Sequence, residues 1–582
     1  MIPSKTRLVL CSGTLLTCLG AQAQAIGQVG GQVGGPGQNQ VFLVPNAQIA
    51  QTWQQNSPGA TAPTIAQQED GSTRVEWHGM ATLDGYTNDV QSASGNLTSA
   101  LRPGQYFKSL FNSDLRVIAS DGAVDHMQIG LTNTNDRSVL SQNPYQINNI
   151  QLGKSGAGYM FAAGDVMPNF SSLGTSLAVR GIYGLRQFGG LSVLGFAGTV
   201  AESWEALGGT VASNQLLKEA YGIKLEQLVG NSLRVYATTQ MFTERDPSQS
   251  VQMLPPSGNT SNTQSAGFQY QQGQYSLTGE TASSRYAAPA DQGRNGQATV
   301  LDASWRGETT GLRAGYHDIA NTFTSLSVAA QPGVQETYSA MDWMAAPWLS
   351  LTADLRKSRA TTMATAAMAS SYVDTEAATL QAHLNFSAVL PGIAGTLQQS
   401  TSRSVDSSSQ DARHDDWMST LSYATPVCNA TIGYGVSNMA SATNPNADSS
   451  TSSWTLNLGR TYSDSNPGEP ETWGAGFNLS ASSQVQRLLL SDAQSANSNY
   501  TITANAQRAG WGRLNLMLTG GLTTQPNGGP GLRMQGVQLE AVRPFKGQNL
   551  FKLYVRNTNR NIGDALLAVL ERIAGFQIIY NF

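Results

Sequence analysis

Phe576-Gln577-Ile578-Ile579-Tyr580-Asn581-Phe582, the last seven residues of the chain, put an aromatic or aliphatic side chain at every second position. Successive strand residues point to opposite faces, so Phe576, Ile578, Tyr580 and Phe582 share one face of a β-strand, and Gln577 and Asn581 lie on the other with Ile579. The same period recurs upstream. Trp454, Leu456 and Leu458 alternate with Thr455, Asn457 and Gly459, and Tyr500, Ile502 and Ala504 with Thr501, Thr503 and Asn505. Leu233, Val235 and Ala237 oppose Arg234, Tyr236 and Thr238, while Phe551, Leu553 and Val555 oppose Lys552, Tyr554 and Arg556. From Thr73 to Phe582 the chain reads as a succession of strands with one apolar and one polar face.

Clusters of Gly, Asn, Ser and Asp separate these strands. Some are tight, as at Ser120-Asp121-Gly122 and Val229-Gly230-Asn231; others are long and polar, from Asp246 to Ser265 and from Ala440 to Ser453. Short connections alternating with long ones predict an antiparallel up-and-down meander with two unlike ends. Roughly 24–26 strands fit the pattern. A helix-like stretch from Asp564 to Ile573 precedes the last strand.

Composition sets the solvent of each face. Only 12% of the 582 residues are charged, while 40% are hydrophobic and 60 are Gly; an ordinary soluble protein is about 25% charged. Ser, Thr, Asn, Gln and Gly take the place of the missing charge, which excludes a helical or α/β enzyme built on Glu, Lys and Leu. Low net charge and an 8% aromatic share exclude a disordered chain. A soluble β-sandwich would carry Lys and Glu on its outward face. Here one face is apolar and the other holds Ser, Thr, Asn, Gln, Tyr and scattered charge, as a barrel in lipid requires. Strands that span a membrane must also close, because an open edge would leave backbone groups unsatisfied in hydrocarbon. Beyond the N-terminal leader no stretch offers 18 apolar residues in a row, and Ile562–Phe576 contains Asp564, Glu571 and Arg572, so helical spanning is excluded. An exported β-solenoid would need a fixed repeat of about 20–30 residues, and none is present.

Residues 1–25 read as a secretory signal peptide: Lys5 and Arg7, an apolar run from Leu8 to Leu19, then Ala21-Gln22-Ala23-Gln24-Ala25. The run is too short and too interrupted to span a bilayer. Cys18 after Leu15-Leu16-Thr17 partly matches a lipoprotein signal, with Thr where a smaller residue is normal. Cleavage would remove Cys11 and Cys18 and leave Cys428 without an intramolecular partner. It would also take two of the 34 basic residues and none of the 38 acidic ones, for a net charge of −6. That argues against a nucleic-acid partner, which needs a basic face. Residues 26–72, rich in Gly and Gln, read as a disordered low-complexity linker.

The terminal alternation ending in Phe582 resembles the closing strand of bacterial outer-membrane β-barrels. The resemblance is to a structural class over residues 73–582, with a specific motif in the last seven, and it is to no functional family. It implies that Phe576, Ile578, Tyr580 and Phe582 form the signal read by the barrel-assembly machinery, and that outer-membrane lipid surrounds the strands.

Sites are sparse. His78, His126, His317, His383 and His414 have no second ligand at metal spacing, and no H-E-x-x-H, paired C-x-x-C or P-loop occurs, so no metal or cofactor is expected. His414, in Arg413-His414-Asp415-Asp416, lies near Ser407, Ser408 and Ser409. A triad is defined by geometry and not by proximity in sequence, and no G-x-S-x-G elbow supports it, so these residues read as a charged rim and the chain as no enzyme. Gly164-Asp165-Val166-Met167-Pro168-Asn169-Phe170-Ser171 is an unusual turn, since Pro168 cannot donate to a ladder and Asp165 and Asn169 favour side-chain turns. Asp165, Pro168, Asn169 and Phe170 mark a long hairpin loop, with folding into the lumen as its functional reading. Trp77, Trp204, Trp305, Trp343, Trp348, Trp417, Trp454, Trp473 and Trp511 recur near strand ends, as an interfacial girdle would, and Trp417 and Trp454 fall in register with their apolar faces.

These features predict an outer-membrane barrel acting as a passive pore or export conduit for a solute that could be polymeric. The alternative is a surface anchor or adhesin whose long loops bind a partner. The 26–72 segment is too short for a folded plug; it would thread the lumen or tether a periplasmic partner.

Overall fold

A computed structural model describes residues 73–582 apart from 93–101, 138–139, 141–142, 169, 175–176, 251–252, 255–256, 290, 327–331, 363–369, 465–472, 526–530 and 563. The expected signal peptide (1–25) and linker (26–72) lie outside the described residues.

The described chain is a run of strands. It begins with β1 (Arg74–Ser92), β2 (Gly104–Ile118), β3 (Val124–Thr134), β4 (Tyr145–Gly156), β5 (Tyr159–Val166), β6 (Val179–Phe188) and β7 (Leu191–Val200). After a short helix α1 (Trp204–Leu207) come β8 (Leu217–Val229), β9 (Leu233–Arg245), β10 (Thr260–Gln272), β11 (Tyr275–Ala288), β12 (Asp291–Arg306) and β13 (Thr310–Ile319). Then follow β14 (Val334–Ala346), β15 (Leu349–Thr361), β16 (Tyr372–Asn385), β17 (Ile393–Asp406), β18 (Asp411–Ala424), β19 (Cys428–Ser441) and β20 (Ser449–Ser463). The last six are β21 (Trp473–Leu488), β22 (Gln494–Arg508), β23 (Gly512–Thr524), β24 (Leu532–Phe545), β25 (Asn549–Ile562) and β26 (Asp564–Asn581).

Each strand pairs antiparallel with the next in sequence. β26 also pairs with β1, so the 26-stranded sheet closes into a barrel. This is the all-β, up-and-down architecture that the alternation predicts. At the end holding Arg74 and Phe582 most connections are tight, as at 189–190, 230–232 and 273–274. The opposite end carries the long ones, 167–178, 201–216, 246–259 and 320–333 among them.

Residues directly opposed in a register share a face. Trp454 opposes Tyr434, and Leu456 opposes Ile432; Trp454, Tyr434 and Ile432 are all exposed. So are Val235, Met241, Leu553, Val555, Phe477 and Tyr500, which makes this the outward, apolar face. At the seam Ala81 opposes Tyr580, Leu83 opposes Ile578 and Gly85 opposes Phe576. Gly79 and Phe582 exchange two backbone hydrogen bonds, of 2.8 and 3.1 Å. The Phe582 ring lies over Gly79 so closely that a Cβ there would sit 2.3 Å from it. Phe582 also meets Trp77 edge-on at 4.8 Å and stacks on Phe111 at 6.1 Å. The two ends of the sheet are thus sealed by aromatic packing as well as by the ladder.

Two expectations are corrected. Asp564–Ile573 is strand and not helix: β26 pairs with β25 on one side and β1 on the other, and two ladders override the helix preference of Ala, Leu and Glu. Half of the polar run from Ala440 to Ser453 is strand too, leaving residues 442–448 as connection. Ser450 and Ser452 pair with Asn438 and Val436, since the β-compatible Ser and Thr extend the ladder wherever a partner strand runs on.

Candidate functional site

The polar face encloses the lumen, and two connections fold onto it. After β5 the chain turns inward. Pro168 and Phe170 are fully buried, and Leu173 is nearly so. Phe170 meets Phe196 of β7 edge-on, with ring centroids 4.9 Å apart, and Phe196 lies 6.5 Å from Phe242 of β9. Gly222 of β8 makes room for them: a Cβ there would stand 2.5 Å from Phe196 and 2.9 Å from Phe170. Asn169 lies outside the described residues.

The tip of this segment is held by one carboxylate. Ser171 Oγ donates to Glu280 Oε1 at 2.6 Å, and the backbone N–H of Leu173 donates to Oε2 at 3.1 Å. Tyr236 Oη donates to Oε2 at 3.2 Å. Glu280 belongs to β11, six strands beyond β5, about 29 Å of sheet at ~4.8 Å per strand. The chain from Met167 to Leu173 spans at most about 22 Å. The Glu280 side chain reaches inward to meet it, so the segment crosses on the concave side of the wall.

Asp165 anchors the root of the segment. Its Oδ2 accepts from the Ile150 N–H and from Trp204 Nε1, each at 2.8 Å, and Oδ1 lies 3.3 Å from Arg180 Nε. Arg180 also lies over the Trp204 ring at 5.7 Å and donates to the Ala201 carbonyl. Trp204 therefore belongs to this knot, at the start of α1, and not to an outward girdle. Trp417 and Trp454 do face outward, each 44% exposed, with Tyr434 opposing Trp454 and lying 6.1 Å from Trp417.

A second segment, after β13, pads the same wall. Phe323 is buried with Leu173, Ala282 and Ala298. The Thr324 N–H donates to Ser284 Oγ at 3.0 Å and the Leu326 N–H to Ser261 Oγ at 3.1 Å. Leu326 packs against the Phe170 cluster, so the two segments meet over β7–β12. Glu280 and Phe323 escape a reading of the sequence, yet both carry a signal. Glu280 is a lone acid on a face of Ser and Thr, and Phe323, like Phe170, is a lone aromatic in a polar connection.

On the opposite wall no large side chain of β16–β23 is buried. His414 lies on the inward face of β18, where its Nε2 is 2.9 Å from Asp416 Oδ1 and 3.3 Å from Ser437 Oγ. A triad needs acid and nucleophile at opposite ring nitrogens. Here one nitrogen meets both. Ser408 in the turn after β17 donates to Asp406 instead. Among the described residues no three His, Cys, Asp or Glu side chains are placed to hold a metal.

No protein-family model and no curated protein matches the chain. Solved structures of similar fold include the translocation pore of the P pilus usher PapC, at 11% identity and a TM-score of 0.37, covering 87% of this chain and 99% of that one. Pseudomonas aeruginosa OccK5 (OpdH) follows at 11% identity and 0.31, covering 62% and 98%. Salmonella typhi OmpF, in complex with daunomycin, matches at 12% and 0.28, covering 50% and 92%. In fold the chain is similar to bacterial outer-membrane β-barrels.

Proposed function

We propose that this protein lies in a bacterial outer membrane and serves as a passive pore or export conduit, partly narrowed by its own connections. The observation that carries the reading is a closed ring, apolar outside and polar inside, with one wall padded by segments 167–178 and 320–326 and the other uncovered among the described residues. A circular barrel of this strand number would be about 50 Å across, from ~4.8 Å strand spacing and ~40° tilt. Such a ring needs a constriction to limit leakage, and the two segments supply part of it. On the outside, Trp454 and Tyr462 stand eight residues apart along β20, about 26 Å of strand or about 20 Å of height at ~40° tilt. That is close to the ~25 Å apolar band of a membrane barrel. On this reading residues 1–25 direct export, and the 26–72 linker threads the lumen or tethers a periplasmic partner. Reconstitution of the full chain in a planar bilayer tests the reading. Discrete current steps, with heat-modifiable migration on a gel, are expected; a sealed bilayer with folded protein inserted would overturn it.

A further inference from the structure

We infer that the solute is an uncharged, hydroxyl-rich chain, a neutral polysaccharide, and that it moves along the inward face of β19–β22; this rests on the pore reading above. The registers fix which residues form that face. Thr455 of β20 opposes Gly433 of β19 and Ser482 of β21, and Ser482 opposes Asn499 of β22. Every inward position of these four strands is Ser, Thr, Asn, Gln or Gly, except Met439 and Leu488 toward the long-connection end. None is charged and none is aromatic.

Charge is not missing from this part of the chain. It is placed elsewhere. Arg460, Arg487 and Arg508 lie on the outward face near strand ends, and Asp448, Asp464 and Asp492 lie in connections. The far wall is different: Lys224 and Glu226 pair at 3.0 Å, His317 meets Asp302 at 3.0 Å, and Glu280 is committed to the padding. Outside the padded strands, β19–β22 form the stretch free of inward charge, bordered by His414 and Asp416 on β18 and by Arg513 on β23.

Hydroxyl and amide side chains exchange hydrogen bonds with water or with a sugar hydroxyl at little net gain. Without fixed charge such a wall neither concentrates nor repels ions. Without an aromatic platform it offers no stacking site to hold a sugar ring. The four strands form a track about 19 Å wide at ~4.8 Å per strand, running the length of the wall. Weak, evenly repeated contacts let a long neutral chain slide along this track, whereas a polyanion or a polypeptide would find no counter-charge or apolar pocket on these four strands.

The test is current blockade of the full-length protein in a planar bilayer by dextran, polygalacturonate and polyglutamate of matched hydrodynamic size. Dextran should block at least about tenfold more often than either polyanion, a difference of ~1.4 kcal/mol in partition. Thr455→Trp should lengthen dextran blocks severalfold by adding a stacking platform, and the outward Leu456→Trp should not. Equal blockade by the three polymers, preference for polyglutamate, or unchanged dwell in Thr455→Trp would overturn the inference while leaving the pore reading intact. A bilayer that never conducts would overturn both.

Discussion

The wall formed by β7–β12 and the wall formed by β16–β23 share an outward face and part company on the inward one. Outside, both show aliphatic and aromatic residues, such as Val235 and Met241 on β9 and Trp454 and Leu458 on β20. Inside, the first is covered by Phe170, Leu173 and Phe323 and held through Glu280, Ser261 and Ser284. The second has no such cover among the described residues and presents hydroxyl and amide over β19–β22, with His414 and Asp416 beside them on β18. A common outer surface is what one solvent demands. The inner surfaces are free to differ, and function is written there.

The difference can be broken or sharpened by mutation. The largest effect should come from the seam that both walls share: removing Phe582 deprives Trp77, Phe111 and Gly79 of their partner ring, and membrane-inserted, heat-modifiable protein should fall severalfold. Unchanged levels would show that the seam seals without it. Next, replacing residues 168–174 and 321–325 with short Gly-Ser connections should raise single-channel conductance severalfold. Conductance equal to that of the parent would mean that the padding does not narrow the path. Phe170→Ala should cost about 3–5 kcal/mol of local packing, read as faster protease nicking between 167 and 178, while global melting shifts little. Glu280→Gln should cost about 1–3 kcal/mol at the latch, read as added open-channel noise, since an amide keeps one acceptor oxygen and replaces the other with a donor, leaving at least one of the three donors without its partner. The smallest effect belongs to the bare wall: Ser482→Ala should stay within about 0.5 kcal/mol and leave conductance unchanged. A large loss there would equate the two walls.

The architecture was legible because period-two alternation is local: Trp454-Thr455-Leu456 declares its two faces without reference to any other strand. Where the reading failed, partners decided. Asp564–Ile573 has a helix former's composition and became strand because β25 and β1 flank it, and Ser449–Ser453 looked like connection until β19 ran on beside it. Pro168 and Phe170 stood out as an unusual turn. Their landing place did not, because Glu280 lies more than a hundred residues away and nothing local sets which connection crosses to which wall. Trp204 shows the converse, an aromatic at the right spacing for a girdle that instead caps the knot around Asp165 and Arg180.

The seam between β1 and β26 has a further consequence for how the ring is made. All other pairings join neighbours in sequence and can form hairpin by hairpin as chain is supplied. This one alone brings together segments some 490 residues apart. A chain that lost one strand would present two parallel edges that cannot close in the antiparallel register, and a chain halted early would keep a raw edge facing hydrocarbon. The last ladder is therefore sensitive to the parity of the strand count: an even set closes antiparallel, and an odd one cannot.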